Sequence, residues 1–149
     1  MLFRSAYAAG FARREDALRT LGTQGWAERV YGANDFFPPG TDVALRRWYV
    51  DEIARTDAEV LCGLYGLLRH ADARDLLPRI AAPVLGLYPA GGLLTSDEQL
   101  NLLRASIRDF MPVRLAAATH AILTLYPAAC AQHLLHFAAR HDGIACREP

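Results

Sequence analysis

The chain has little cysteine, no excess of charge and no long apolar run, and each shortage excludes a class of function. Cysteine occurs three times, at Cys62, Cys130 and Cys146, without C-x-x-C or any other metal spacing. An odd count with such spacing fits a reduced, cytoplasmic protein and argues against a disulfide framework. A formal net charge of zero leaves no basic excess to neutralise phosphates, so nucleic acid is not an expected partner. Arg13, Arg14, Arg46 and Arg47 read as scattered charges on helix surfaces. No segment approaches the roughly 20 apolar residues needed to span a bilayer. Residues 1–11 also lack the ordered charged start, apolar middle and cleavage site of a signal peptide. Neither membrane insertion nor secretion is expected.

Nucleotide and metal signatures are missing as well. Gly91-Gly92 falls between a strand and a helix, but no G-x-G-x-x-G or G-K-[ST] is present. His133 and His136 sit three apart on one predicted helix without a third ligand, so they read as exposed helix residues. No cofactor and no metal are expected. What remains is an ordinary globular composition over 149 residues, with 52% hydrophobic and 21% charged residues.

The first half reads as consecutive helices. Phe11, Ala17, Leu18 and Leu21 fall on one helical side with Arg13, Arg14 and Glu15 mostly opposite, and Gly22 stops that helix. Thr23 opens a short second helix with Trp26, Ala27 and Val30 apolar, before the proline- and glycine-rich stretch 31–40. Thr41 opens the next helix, with Val43, Leu45, Trp48, Tyr49 and Ile53 as its buried side. Thr56-Asp57-Ala58-Glu59 matches a capping box, with Thr56 as the cap, and starts a helix through about Leu68 whose apolar residues are Val60, Leu61, Leu64 and Leu67. His70 lies at its C-terminus, where a cation suits the helix dipole. A polar turn and short helix over 72–79 closes on Pro78.

From Ile80 the period changes. Pro83–Tyr88 is a short apolar run, as expected of a parallel strand buried on both faces. Ser96-Asp97-Glu98-Gln99 is a second capping box, leading a helix to about Asp109 that carries Leu100, Leu103 and Ile107. Pro112–Ala118 reads as another strand. Pro127 is placed as the first residue of a last helix over Ala128–Arg140, with Cys130, Leu134, Leu135 and Phe137 inward. Cys62 and Cys130 read as buried small hydrophobes. The fold class is therefore α/β, mostly helical with two short parallel strands, and the second half is one right-handed β-α-β unit with an extra helix.

Arg79-Ile80-Ala81-Ala82-Pro83-Val84-Leu85-Gly86-Leu87-Tyr88, the Ser96–Gln99 helix start, Arg114–His120 and Tyr126–Phe137 together resemble the C-terminal part of the α/β-hydrolase fold. The likeness runs from about Trp48 to His141. It implies a helical lid or cap over residues 1–79 and a C-terminal core segment over 80–149. It also implies that Arg114–His120 is the last core strand ending in the triad histidine, so that His120 is the catalytic base.

Triad chemistry in that fold takes a serine on a strand-to-helix turn, then an acid, then the histidine. The nucleophile is absent: Ser5, Ser96 and Ser106 are the only serines and none lies in G-x-S-x-G. The likeness puts Gly92 where the acid is expected, with Asp97 and Glu98 one helical turn further on; Asp97 is the acid candidate, although capping also accounts for it. Trp48, Tyr49 and Phe36 are candidates to line a substrate pocket, as Trp26 and Phe37 are, and equally read as core aromatics.

The implied parent activity is hydrolysis of a small ester, amide or carbon–carbon bond, with a small-molecule substrate and no activity from this chain alone. Two strands make a marginal sheet. The expectation is therefore association with an N-terminal half, or self-association through the edge of Val84–Tyr88. The alternative reading is a non-catalytic, truncated homologue that acts as an oligomeric binding module.

Overall fold

The computed structural model describes residues 7–32, 36–91 and 96–142. The chain divides into two compact units, Met1–Asp72 and Ala73–Pro149. The division places the short helix before the first strand with the second unit, whereas the sequence grouped it with the lid.

The first unit is helical. Helix α1 runs over Arg14–Ala27 and passes into a π-helical turn, Glu28–Gly32. Gly22 breaks α1 in the middle with φ 69° and ψ 170°, a backbone region essentially restricted to glycine. As expected, one helical stretch ends at Gly22 and a second, carrying Trp26, begins directly after it, the two joined across the kink. Helix α2 spans Val43–Ala54 and helix α3 spans Ala58–His70.

Both of these helices are capped by an aspartate where the sequence suggested a threonine. The Asp42 carboxylate accepts the Ala44 amide at 2.8 Å, while the Thr41 hydroxyl donates back to the Pro38 carbonyl. The Asp57 carboxylate accepts the amides of Glu59 and Val60 at 2.8 and 3.3 Å. Thr56 is therefore not the cap of α3, and Glu59 does not close a capping box. Its carboxylate instead takes a two-pronged pair of hydrogen bonds from Arg19 on α1, at 2.8 and 2.9 Å.

The core of this unit is aromatic. Trp26 is fully buried and its indole N–H donates to the Tyr7 carbonyl at 2.9 Å. Tyr31 meets Trp26, Phe36 and Tyr49 edge-on, with centroids 4.8–5.7 Å apart. Such pairs add ~0.5–1.5 kcal/mol each beyond their burial. Burial also pushes the Tyr31 phenol well above its ordinary pKa. Ala8, Ala17, Leu18, Ala27, Val30, Phe37, Val50 and Cys62 are also buried.

Two expectations about helix faces change. Glu15, placed with the polar side, is only 5% exposed, because Arg69 from the end of α3 pairs with its carboxylate. Conversely Val43, Trp48, Val60, Leu64 and Leu67 are exposed rather than inward.

The second unit begins with a 3₁₀ helix, Arg74–Arg79. Strand β1, Val84–Pro89, pairs in parallel with β2, Phe110–Leu115, in the register Val84↔Phe110 to Pro89↔Leu115. Between them lies α4, Asp97–Ser106, and after them a single turn, α5, Ile122–Leu125, and a long helix, α6, Pro127–Asp142.

The parallel β-α-β order agrees with the sequence reading, and Pro127 does open α6. The second strand starts two residues earlier and ends sooner than expected, and α5 has no counterpart in the sequence reading. Every residue of β1 is half-buried, so the strand is not buried on both faces as its composition suggested. The core holds Leu115, Ala117, Ile122 and Cys130, with Leu87, Val113 and Ala129 packed against them. Leu100 and Ile107 are also buried, whereas Leu134 and Leu135 of α6 are exposed. Burying a side chain of this size contributes ~1.5–3 kcal/mol.

Candidate functional site

In parallel sheets ligands bind beyond the carboxyl ends of the strands, and the second unit has a cleft there. It encloses about 230 Å³ and is lined by Tyr88, Gly91, Ser96, Asp97, Leu100 and Arg114 among others. Its walls follow from the local sequence. The ladder continues past the strands, with the Ala90 amide donating to the Leu115 carbonyl at 2.7 Å and that of Gly91 to Ala117 at 3.0 Å. A Cβ at Gly91 would meet the Ala118 backbone at 3.4 Å, an ordinary van der Waals contact, so this wall packs closely without requiring glycine.

Across the cleft, α4 begins with the expected capping box. The Gln99 amide donates to the Ser96 hydroxyl at 3.1 Å, and the Ser96 amide donates to the Gln99 side chain at 3.0 Å. This fixes Asp97 as the first helical residue, where a carboxylate suits the helix dipole. Arg114, opposite Tyr88 in the register, donates to the Asp97 carboxylate and so ties the start of α4 to the end of β2. Burial raises the Tyr88 phenol at the cleft wall above its ordinary pKa.

The residues singled out from sequence separate. His120 lies five residues beyond β2, is exposed, and its carbonyl accepts the Ile122 amide at the start of α5. It is not part of the cleft lining. Its imidazole makes no hydrogen bond to Asp97 or to another described residue; the Asp97 carboxylate is engaged by Arg114 instead. Beside His120, the Thr119 hydroxyl is buried with no hydrogen-bond partner among the described residues. Gly92, the expected acid position, lies outside the described residues, as does Cys146.

Phe36 and Tyr49 belong to the first unit's aromatic cluster, with ring centroids 5.5 Å apart. Trp48 is 51% exposed on α2. Gly63–Gly66 and Ser106 are helical. Among the described residues no group of three or more His, Cys, Asp or Glu could hold a metal ion, and no helix is long and apolar enough to cross a membrane.

Sequence reasoning passed over Arg114. The signal available was a lone cation inside an otherwise apolar strand, a position where a charge needs a partner. Comparison with protein-family models, characterised proteins and solved structures finds no match to this chain.

Proposed function

We propose that this chain forms the C-terminal region of an α/β-hydrolase-like fold whose whole activity is hydrolysis of a small ester, amide or carbon–carbon bond. The observation that supports this most is the parallel order β1, α4, β2 followed by His120 at the carboxyl end of β2. In that role His120 takes the nucleophile's proton and returns it to the leaving group. The nucleophile comes from outside these residues, since none of Ser5, Ser96 and Ser106 lies in G-x-S-x-G. The pairing of Asp97 with Arg114 argues that the acid orienting His120 is also supplied elsewhere.

The test is turnover of a chromogenic short-chain ester by the chain alone, beside His120→Ala. No turnover above that variant is expected, and His120-dependent activity overturns the absence of a nucleophile. The genomic sequence upstream tests the rest: no in-frame G-x-S-x-G between a strand and a helix sinks the fragment reading.

The engaged Asp97 carboxylate favours a second reading, a non-catalytic homologue that serves as an oligomeric binding module. Light scattering separates the two. A well-folded homodimer supports the module, and heterogeneous aggregation supports a fragment that lacks its partner.

A further inference from the structure

The first unit holds a second, larger cleft that the proposed hydrolase function does not use. It encloses about 530 Å³ between the start of α1 and the end of α3, and Arg13, Arg14, Glu15, Tyr65, Leu68 and Arg69 line it. We infer that this cleft binds a small organic anion, a carboxylate or phosphate ester carried on a compact apolar body.

Charge is the first argument. Three guanidinium groups face one carboxylate, so the cleft keeps an excess of about two positive charges. Glu15 is buried, and Arg69 and Arg13 share it, the latter at 3.6 Å. Arg14 pairs with no carboxylate among the described residues. Its guanidinium carbon stands 4.0 Å from the Tyr65 ring centroid and 4.8 Å from that of Tyr7. A cation–π contact uses the charge of a guanidinium without occupying its N–H donors. Those donors, in a planar fork, match the paired oxygens of a carboxylate or phosphate.

Preorganisation is the second argument. Glu15 holds Arg13 and Arg69, and the two rings hold Arg14, so the donors are positioned before a ligand arrives and less side-chain freedom is lost on binding. Shape and lining are the third. The volume lies within the range of small-molecule sites, which combine apolar walls with a few polar groups. Here the walls are the Tyr65 ring and Leu68, a leucine left 58% exposed at the cleft. An inorganic anion would leave that surface uncovered, and an amine would meet the excess positive charge.

The experiment is a titration of the full chain, followed by amide chemical shifts, with phenyl phosphate, benzoate, inorganic phosphate and benzylamine as probes. Phenyl phosphate and benzoate are expected to shift the amides of 13–15 and 65–69, with inorganic phosphate binding about tenfold more weakly and benzylamine not at all. Arg14→Gln should weaken phenyl phosphate about tenfold, the scale of one charge-assisted hydrogen bond. Arg55→Gln, which removes an exposed cation paired with Glu52, should leave binding unchanged.

The inference is overturned if those amides do not move, if benzylamine binds as well as benzoate, or if Arg14→Gln and Arg55→Gln weaken binding equally. Equal affinity for inorganic and phenyl phosphate refutes the apolar body. Should Arg14→Gln not fold, the site mapping and probe ranking in the unmodified chain decide the matter.

Discussion

Replacing Leu18 by alanine tests whether the kinked helix α1 organises the first unit. Leu18 is 0% exposed and sits four residues before the kink at Gly22. Truncating a fully buried leucine to alanine costs about 2–5 kcal/mol, the lower end where neighbours collapse into the void and the upper end where they cannot. Both tryptophans, Trp26 buried and Trp48 half exposed, lie in this unit, so intrinsic fluorescence in urea follows its unfolding. With a slope of about 1 kcal/mol/M for so small a unit, the midpoint should fall by about 2 M or more. A shift under about 0.5 M at unchanged slope would refute the claim that Leu18 is a core residue held in a rigid cavity. Glu59→Gln provides the contrast. It removes the charge and one of the two acceptors offered to Arg19, but the pair is solvent-exposed, and such pairs contribute little. No measurable change in midpoint is expected.

Glu15 gives a pH dependence of defined sign. A hydrogen bond from its own backbone amide, aided by Arg69 and Arg13, outweighs burial and holds its carboxyl below the ordinary carboxylate pKa. The stability it supplies is therefore full above the unfolded value, ~4.3, and is lost as pH falls through the lower folded value. Urea midpoints by fluorescence should drop on acidification through that window, with a smaller drop in Glu15→Gln; equal drops contradict the assignment. Ser96→Ala removes the cap of α4 and should cost ~1 kcal/mol locally, read as faster amide exchange over Leu100–Arg104; unchanged exchange refutes the cap's role. Cys62 and Cys130 are buried, and burial pushes the Cys62 thiol up. In a Cys146→Ala chain neither should react with a disulfide reagent until urea unfolds it, and prompt labelling in native buffer contradicts their burial.

Where the sequence was legible, the determinants are local. Pro83, the apolar run after it and Ser96-Asp97-Glu98-Gln99 lie within a few residues of the structure they specify, and β1 and α4 form there. The Gly22 break is equally local. What escaped depends on partners distant in sequence. Glu15 looks like a surface residue until Arg69, 54 residues on, is brought to it. Glu59 looks like half of a capping box until Arg19, 40 residues back, takes its carboxylate. The exposed leucines of α3 show the converse, since helical periodicity marks an apolar face without supplying its cover. The same limit applies at the cleft beyond β1 and β2. Asp97 was named from its place in the motif, but its partner, Arg114, comes from the neighbouring strand.

The parallel register of β1 and β2 also bears on how quickly this unit forms. Antiparallel neighbours can zip from a tight hairpin, but parallel ones must first bring distant segments together. Here Pro89 ends one strand and Phe110 begins the other, so the intervening chain must close before any inter-strand bond repays the entropy lost. The Ser96 cap changes that order of events. A helix that forms early over Asp97–Ser106 rises only ~1.5 Å per residue and turns half of the gap into a short rigid spacer. The strength of one serine cap should therefore appear in the folding rate of a sheet it never touches.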